Sequence, residues 1–316
     1  MKAAQITSYG TPDVLRIDEV DRPTPGPGEV LVSVAASSVN GHDVIVRSGA
    51  LRIMTGRRFP LGVGLDFAGA VAATGADVNG VRVGDQVWGM VHPRERHTVA
   101  GAAEYVVVAA DRVSVAPTGV SAVEAASLVV GGATALIGLR DTLRLAPGQR
   151  ILVRGAAGGV GTAAVQLARA MGGEVTALAR ASHAAALREL GAAEILDYRT
   201  TNADQIGEFD AIFDTVGTEL NCYRRRLRSH GRMVTIGLSG PAFAAIAASS
   251  VYGARRIRAF SANPDAAVLR ELAGYVTSGA LRPVVESVYA LTDIASAHRA
   301  FERGGVVGKQ VIDVSR

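Results

Sequence analysis

The sequence predicts an α/β protein in which a β-barrel or sandwich precedes a doubly wound parallel sheet, and two patterns support this prediction. Before residue 120 the chain consists of short runs rich in β-branched residues, such as "EVLVSVAASSV" and "AEYVVVAADRVSVAP", bounded by Gly, Pro, Asp or Asn. Short strands at such spacing are typical of barrels and sandwiches. From residue 150 onwards, apolar strands alternate with helical segments, which indicates right-handed βαβ units in a parallel sheet.

The order of the elements follows from local signals along the chain. Ser121 and Glu124 form a capping box at the start of a helical region, which Gly131 and Gly132 are expected to divide into two helices. The strand "RILVRG" leads into a helix over 162–171, and the strand "EVTALA" is followed by the helix "SHAAALRELG". The runs "EILDY", "FDAIFDTVG" and "GRMVTIG" predict three further strands. A helix at "DAAVLRELAGYVTSG" and a strand at "KQVIDV" complete the pattern.

Composition and charge exclude several classes of protein. The chain has 316 residues, which is enough for two domains, and a net charge of +4. Its densest basic run, 224–228, is typical of a solvated helix face, so no nucleic-acid partner is predicted. Apolar stretches such as 242–248 are far shorter than the roughly 20 residues that span a bilayer, and the first residues lack the apolar segment of a secretory signal. We therefore expect a cytoplasmic protein without a membrane partner.

Cysteine usage excludes two further features. Cys222 is the only cysteine in the chain. An internal disulfide is therefore impossible, and so is any zinc site built on two or more thiolates from this chain.

The stretch "RGAAGGVG" carries the strongest functional signal. It follows a strand and opens a helix, which is the context in which glycine-rich loops bind the pyrophosphate of a dinucleotide. Gly158 and Gly161 match the second and third glycines of that signature, and Ala156 stands at the first. We expect Gly158 to admit the phosphates, Gly161 to let the helix pack on the strand, and the free N–H groups at the start of the helix to bind the anion. Gly159 and Val160 are expected as further cofactor contacts in the loop. The alternative, a βα turn without a ligand, is disfavoured by the consecutive βα units around the loop.

The strand after this loop predicts which dinucleotide binds. NAD sites place Asp or Glu at the carboxyl end of this strand, where the carboxylate binds the ribose 2′-hydroxyl. Here the acidic residue, Glu174, begins the strand, about 16 Å away at about 3.3 Å per residue, and Arg180 follows the strand's end. Arg180, Ser182 and His183 favour a 2′-phosphate, so the predicted cofactor is NADPH. That Arg180 is only a surface residue remains the alternative.

A series of motifs then occurs in a fixed order: "PGPGEVLVSVAASSVNGHD", "PLGVGLDFAGAVAATG", "VRVGDQVWG", "GGATALIGL", "GAAGGVG", "FDTVG" and "GVVGKQVIDV". In this order they resemble the medium-chain dehydrogenase/reductase superfamily, and within it the zinc-free quinone oxidoreductase (zeta-crystallin-like) group. The resemblance spans nearly the whole chain. It implies a GroES-like β-barrel catalytic domain over 1–120 and 265–316, and a Rossmann nucleotide-binding domain over 121–264.

The chain departs from the zinc-dependent branch of that superfamily at the positions of the metal ligands. Zinc alcohol dehydrogenases carry Cys where this chain has Asn40, and Gly-His-Glu where it has Gly64-Leu65-Asp66. Leucine cannot bind a metal, so no metal is predicted. Without a Lewis acid, alcohol–carbonyl interconversion is disfavoured, because nothing strong stabilises an alkoxide as it forms. Hydride transfer to a conjugated acceptor needs only positioning and hydrogen-bond donors.

The resemblance also implies roles for individual residues. Asn40 and Thr134 are expected to lie against the nicotinamide and the substrate as catalytic residues, and Asp43 is expected to order the loop that carries Asn40. Tyr198 is expected near the adenosine ribose or its phosphate, and Arg303 at the 2′-phosphate. The remaining implied cofactor contacts are Thr215, Val216, Gly217, Gly237, Leu238 and Lys309.

The predicted function is that of an NADPH-dependent, zinc-independent oxidoreductase, which transfers a hydride to a quinone or to the β-carbon of an α,β-unsaturated carbonyl. A dedicated enoyl reductase of polyketide or other secondary-metabolite biosynthesis is one alternative, since "LGVGLDFAG" also resembles the enoyl-reductase domains of polyketide synthases. A non-catalytic NADPH-binding protein is another. The resemblance further implies a homodimer joined through edge strands, with 255–262 as the candidate segment.

Overall fold

The computed structural model describes residues 1–50, 52, 58–92, 98–237, 240–251 and 255–316. The strands within these residues are β1 (Lys2–Ile6), β2 (Leu15–Glu19), β3 (Glu29–Ser38), β4 (Leu61–Gly62), β5 (Asp66–Thr74), β6 (Gln86–Met90), β7 (Tyr105–Ala109), β8 (Val113–Val115), β9 (Arg150–Arg154), β10 (Glu174–Ala179), β11 (Glu194–Asp197), β12 (Phe209–Asp214), β13 (Leu227–Thr235), β14 (Ile257–Ala259), β15 (Val285–Ala290) and β16 (Lys309–Asp313). The helices are α1 (Gly41–Arg47), α2 (Ala122–Ile137), α3 (Gly159–Ala170), α4 (Ala184–Glu189), α5 (Leu220–Arg224), α6 (Gly240–Val251), α7 (Ala266–Thr277) and α8 (Ile294–Arg303).

Strands from the second half of the chain form one parallel sheet of six strands, in the order β11-β10-β9-β12-β13-β14. This is the doubly wound order of a Rossmann sheet, and it confirms the α/β fold predicted from the alternation of strands and helices. The order reverses between β9 and β12, which lie side by side with Ile151 opposite Ala211. Ligands of such sheets bind outside the carboxyl ends of the strands at this point.

The N-terminal part is the one for which a GroES-like domain is expected, and residues 285–313 complete its larger sheet. In that sheet β3 pairs with β5 and β7, and β6 pairs with β5 and β8. β16 lies antiparallel to β3, with Val311 opposite Ser38, and β15 lies parallel to β16. A smaller sheet has the order β2-β1-β4. The domain boundaries at residues 120 and 265 stay predictions.

α2 is a single helix, so the prediction of two helices divided by Gly131 and Gly132 is wrong. The two glycines do not interrupt the helix but allow neighbouring elements to pack closely against it. A Cβ on Gly131 would lie 2.8 Å from the carbonyl oxygen of Gly159, at the start of α3. A Cβ on Gly132 would lie 2.9 Å from the side chain of Leu272 in α7. Both neighbours are therefore able to approach the backbone of α2 directly.

The N-terminus of α2 has the predicted capping box, and the helix runs through the interior. Oγ of Ser121 accepts a hydrogen bond from the N–H of Glu124, and the Glu124 carboxylate accepts one from the N–H of Ser121. The helix packs against α3 and against β3 and β5. With the turn that follows it, residues 122–143 are long and apolar enough to cross a membrane by length and composition, although 72% of the apolar window is buried inside the protein. This burial is that of a core helix.

Candidate active site

The glycine loop (residues 155–161) connects β9 to α3 at the point where the strand order reverses. Gly155 has a φ of +69°, and a Cβ there would lie 2.1 Å from Oγ1 of Thr215. A Cβ on Gly161 would lie 2.2 Å from the carbonyl oxygen of Gly155. At Gly158 the space is open, since the nearest atom to an added Cβ would be 3.7 Å away. The loop is thus closely packed at Gly161 and leaves room at Gly158, which is the arrangement that a pyrophosphate-binding loop needs.

α3 begins at Gly159, three residues before the start predicted at Thr162. The difference arises because Gly158 is the N-cap residue, with extended backbone at φ −71° and ψ 168°, and its carbonyl accepts from the N–H of Thr162 at 2.8 Å. The N–H groups of 159–161 therefore have no carbonyl partner within the helix. Together with the helix dipole they form a binding site for an anion. Ala156 is buried in the loop, and Val160 is half-buried.

A cavity of about 560 Å³ lies over the loop, at the carboxyl ends of β9, β10 and β12. The predicted cofactor residues that line it are Gly158, Gly159, Arg180, His183, Tyr198, Thr215 and Val216. Sequence reasoning missed its other walls, which come from the start of α5 and from the chain at and beyond the end of α8. They include Glu219, Tyr223, Phe301, Gly305, Val306 and Gln310. They carry no nucleotide-binding motif of their own and reach the cavity only through the tertiary fold.

Arg180 lies at the end of the cavity that the sequence assigns to the 2′-phosphate. Its Nε donates to Oη of Tyr198 at 2.9 Å, and this hydrogen bond lowers the pKa of Tyr198 below its ordinary value. The guanidinium also lies against Gly305, where an added Cβ would meet a terminal nitrogen at 2.4 Å. Nδ1 of His183, at the same end, is buried without a hydrogen-bond partner among the described residues. This corner therefore combines a fixed cation with an unused imidazole nitrogen.

Several predicted residues are not part of the cavity lining, among them Asn40, Thr134, Ser182, Arg303 and Lys309. Ser182 is exposed in the short turn before α4, and Arg303 is exposed at the end of α8. Thr134 is buried within α2. Leu238 lies outside the described residues. The roles assigned to these residues stay predictions.

A buried ion pair fixes the carboxyl ends of β9 and β12 beneath the cavity. The Arg154 guanidinium donates to Oδ1 of Asp214 and lies over the ring of Tyr223, 3.6 Å from its centroid. Oδ2 of Asp214 accepts from the N–H of Gly217 at 2.8 Å. A Cβ on Gly217 would lie 2.5 Å from the carbonyl oxygen of Gly237, so the turns after β12 and β13 are in contact. The ion pair thereby holds the turn that contributes Thr215 and Val216 to the cavity.

A buried polar cluster, called the Lys309 cluster below, contains Ser38, Asn40, Asp43, Asp66 and Lys309. Nζ of Lys309 donates to Oδ1 of Asn40 at 2.5 Å and to the carbonyl oxygen of Val39 at 2.8 Å. Nδ2 of Asn40 donates to Oδ2 of Asp66 at 3.1 Å. The N–H of Asn40 donates to Oδ2 of Asp43 at 2.9 Å, so Asp43 orders this loop. The amide of Asn40, expected against the nicotinamide, thus lies between a cation and a carboxylate.

Burial perturbs three titratable groups of this cluster. It raises the pKa of Asp66 and, with the charge of Asp66 adding to the effect, raises the pKa of Asp43 to about 7. Burial lowers the pKa of Lys309, and the charges of Asp66 and Asp43 oppose that change. The ammonium form of Lys309 therefore depends on the two carboxylates.

Two family models match the chain. The model described as alcohol dehydrogenase GroES-like domain matches residues 26–118, and the model described as zinc-binding dehydrogenase matches residues 190–312. The human mitochondrial NAD(P)H oxidoreductase RTN4IP1 is 31% identical over 359 residues, which cover 99% of this chain and 89% of that protein. The chain belongs to the medium-chain dehydrogenase/reductase superfamily.

Two further relatives give its group within the superfamily. The structure of the quinone oxidoreductase from Coxiella burnetii matches with a TM-score of 0.90, at 30% identity over 99% of each chain. The 2-methylene-furan-3-one reductase of Solanum lycopersicum is 29% identical, over 99% of this chain and 79% of that protein. This medium-chain dehydrogenase/reductase protein is therefore an NAD(P)H-dependent oxidoreductase of the quinone oxidoreductase-like group.

A catalytic zinc ion, which the name of the second family model implies, does not fit the residues at its expected position. Leu65 offers no donor atom. Both ends of the Asn40 amide are already bonded, one to Lys309 and the other to Asp66. An ammonium bonded to Asn40 would also repel a metal cation at this place. Within the described ranges, no group of three or more His, Cys, Asp or Glu side chains could hold a metal ion.

Proposed function

We propose that this protein is an NADPH-dependent, zinc-independent reductase that transfers a hydride to a quinone or to the β-carbon of an α,β-unsaturated carbonyl. The observation that carries the proposal is the carboxyl end of β10. Arg180 and His183 line the cavity there, whereas the acidic Glu174 lies at the opposite end of the strand. A guanidinium binds a phosphate far better than a free hydroxyl, so this end of the cavity favours NADPH over NADH.

In this proposal the chain binds and orients the cofactor, and NADPH supplies the hydride when bound. The N-terminus of α3 binds the pyrophosphate beside Gly158. Tyr198 holds Arg180 in place for the 2′-phosphate. The side chains of Tyr198 and Val216, each 48% exposed on the cavity wall, offer apolar surface to the adenine ring.

The acceptor in this proposal is a conjugated carbonyl compound, because no metal fits the site to stabilise an alkoxide. A quinone or an enone spreads the incoming charge over its own π-system. The names of the relatives support the same class: one is a quinone oxidoreductase, and the other acts on a methylene group conjugated to a ketone. Positioning and hydrogen bonding by the protein are then sufficient for the chemistry.

The experiment that tests the proposal has two steps. Calorimetric titration with NADPH and NADH is followed by turnover assays with a panel of quinones and enones. Arg180→Met should weaken NADPH binding by about 10- to 100-fold, the usual contribution of a hydrogen bond between charged groups, and leave NADH binding unchanged. Arg188→Met is the matched control, because Arg188 is an exposed arginine of α4 outside the cavity lining. It should leave the binding of both dinucleotides unchanged.

The outcomes separate the alternatives. Turnover of enones without any quinone reduction would favour a dedicated enoyl reductase. Tight NADPH binding without turnover of any acceptor would favour a non-catalytic NADPH-binding protein. Equal affinity for NADPH and NADH in the unmodified protein would contradict the role given to Arg180.

We also propose that the protein forms a homodimer through β14. This strand lies within the segment 255–262 and is the last strand at one edge of the parallel sheet. Its outer backbone groups have no strand partner within the described part of the chain, and such an edge is able to pair with a second copy. Light scattering should then give about twice the chain mass of 32.6 kDa. A monomeric mass would refute the dimer and leave the catalytic proposal untouched.

A further inference from the structure

The ammonium group of Lys309 is buried, and its hydrogen bonds are incomplete. An ammonium carries three N–H donors. Two of those of Lys309 are used, by Oδ1 of Asn40 and by the carbonyl oxygen of Val39. The third has no hydrogen-bond partner among the residues that the structure describes. Because a buried unpaired donor on a charged group is costly, this N–H is a candidate for a ligand contact.

The orientation of this ammonium is set through Asn40 and not by direct contact with a carboxylate. Oδ1 of Asp66 accepts from the N–H of Ser38, and Oδ2 accepts from the Ser38 hydroxyl, both at 2.6 Å. Oδ2 also accepts from Nδ2 of Asn40. Asp66 therefore faces the NH₂ end of the amide, which leaves Oδ1 of Asn40 directed at Lys309. The carboxylate balances the charge of the ammonium without occupying its third N–H.

Lys309 lies directly behind the nucleotide-binding loop. Gly308 pairs with Gly158, and the N–H of Gly308 donates to the carbonyl oxygen of Ala157 at 2.8 Å. The aliphatic part of Lys309 then crosses the start of α3, where a Cβ on Gly159 would lie 2.3 Å from Cδ of Lys309. Gly159 itself lines the cavity. The ammonium is thus placed between the phosphate-binding end of the cavity and Asn40.

We propose that Lys309 is a catalytic residue of this reductase, whose free N–H donates a hydrogen bond to the acceptor oxygen that gains negative charge during hydride transfer. Asn40 and Asp66 are positioning residues that act through Lys309. The inference rests on the proposed function and names the group that takes the place of the metal. It gives the site a positive charge, supported by the carboxylates of Asp66 and Asp43, at the position where zinc does not fit.

The chemistry balances with Lys309 keeping its proton. NADPH would supply the hydride by losing one C–H hydrogen with its electron pair, which leaves NADP⁺. A new C–H bond forms at the β-carbon of the acceptor, the π electrons of the conjugated system move to the carbonyl oxygen, and the ammonium of Lys309 stabilises the resulting oxyanion. Water supplies the proton that completes the product. A preorganised donor at a developing oxyanion in a site with little water typically contributes about 10²- to 10³-fold to kcat.

The main test compares Lys309→Met with Lys2→Met. These two residues are the only lysines in the sequence. Lys2 is exposed and lies near the other end of the sequence, so its variant controls for the loss of a lysine. With an enone acceptor, kcat of Lys309→Met should fall by about 10²- to 10³-fold, whereas Kd for NADPH should change less than about threefold. Lys309→Arg should restore part of kcat, since it keeps a cation. Lys2→Met should behave as the unmodified protein does.

Two results would overturn the inference. If Kd for NADPH rises in Lys309→Met while kcat at saturation is unchanged, Lys309 binds the cofactor phosphates and not the acceptor. If a folded Lys309→Met protein keeps full kcat and Kd, its role is structural. Absence of turnover in the unmodified enzyme would instead refute the proposed function, and that result is obtained before any variant is made.

A second measurement covers the case in which Lys309→Met does not fold. Lys2→Met protein labelled with nitrogen-15 lysine contains a single Nζ signal, that of Lys309. Adding hydroquinone to the NADP⁺-bound form should shift this signal, because the phenolic oxygen accepts the free N–H. A signal that does not move on addition of hydroquinone would contradict the contact. The Asp66→Asn variant, assayed at a temperature at which it is folded, should have a lower kcat and an unchanged Kd for NADPH. If Asp66 were merely structural, the substitution would lower the melting temperature and leave kcat of the folded protein unchanged.

Discussion

Replacing Gly158 by alanine should separate folding from nucleotide binding. The residue has extended backbone that alanine adopts without strain, and its added Cβ would be 3.7 Å from the nearest protein atom. We expect the melting temperature without ligand to change by less than about 2 °C, since such substitutions cost under about 0.5 kcal/mol. The methyl group projects about 1.5 Å into the space reserved for the pyrophosphate. Nucleotide binding should therefore be lost although the fold is intact.

The size of the effect on binding follows from linkage. NADPH at 100 times its Kd stabilises a protein by about 2.7 kcal/mol, which corresponds to a rise in melting temperature of about 4 °C for a chain of 316 residues. If Gly158→Ala weakens binding 100-fold, the same concentration gives only about 0.4 kcal/mol, or about 1 °C. Thermal unfolding with and without NADPH measures both quantities in one experiment.

Gly161→Ala is the matched control for this experiment. Its Cβ would lie 2.2 Å from the carbonyl oxygen of Gly155 and 2.7 Å from Cα of Ala156, so the substitution must displace backbone. We expect a loss of about 1 to 3 kcal/mol of stability already without ligand. If Gly158→Ala kept the full NADPH shift, the pyrophosphate would not lie on this loop. If it destabilised the free protein as much as Gly161→Ala does, the space at Gly158 would not be open.

Three further predictions concern buried charges. Arg154→Met should lower the free energy of unfolding, measured with urea, by about 3 to 5 kcal/mol, because Asp214 is left buried without its cation. A decrease below about 1 kcal/mol would argue against a stabilising ion pair. Burial and, to a lesser extent, the charge of Arg47 lower the pKa of His298 to about 4. Between about pH 4 and 6.5 the unfolded chain therefore binds more protons than the folded protein does. The free energy of unfolding should fall by up to about 3 kcal/mol as the pH drops through that window. His298→Gln should abolish this loss if the assignment is correct. Asp43 should act in the opposite direction, because its pKa is raised to about 7 in the folded protein. Its contribution to the free energy of unfolding should fall as the pH rises from about 4 to 7. Asp43→Asn should reduce this dependence on pH in unfolding curves measured across the range.

The parts of the fold that the sequence predicts well are those specified by local pattern. The strand β9, the glycine loop and the start of α3 are contiguous, and their glycines have distinct steric requirements that the spacing reveals. The capping box of α2 is equally local. The pair Gly131–Gly132 misled the prediction, because a helix also uses glycine where a neighbour must approach closely, and that neighbour, α3, follows later in the chain.

The candidate site was predictable only on the side formed by the parallel sheet. Arg180 and Tyr198 follow strands whose register fixes where they point, so their meeting at the cavity could be anticipated. Tyr223 and Phe301 reach the same cavity from elements that carry no nucleotide-binding signal. The bond between Lys309 and Asn40 joins residues 269 positions apart. No pattern within a window of sequence contains such a pair, and only the pairing of β16 with β3 brings them together.

The pairing of β16 with β3 has a consequence for the order of events during synthesis. Ser38 leaves the ribosome well before its partner Val311 is made. The larger N-terminal sheet therefore remains without β15 and β16 until residues 285–313 have been made, and closing so long a loop is a slow, non-local step. The same terminal segment carries Gly308 beside the glycine loop and Lys309 beside Asn40. A nascent chain thus acquires a complete sheet and a complete cleft together, and a chain truncated before Gly308 would lack both.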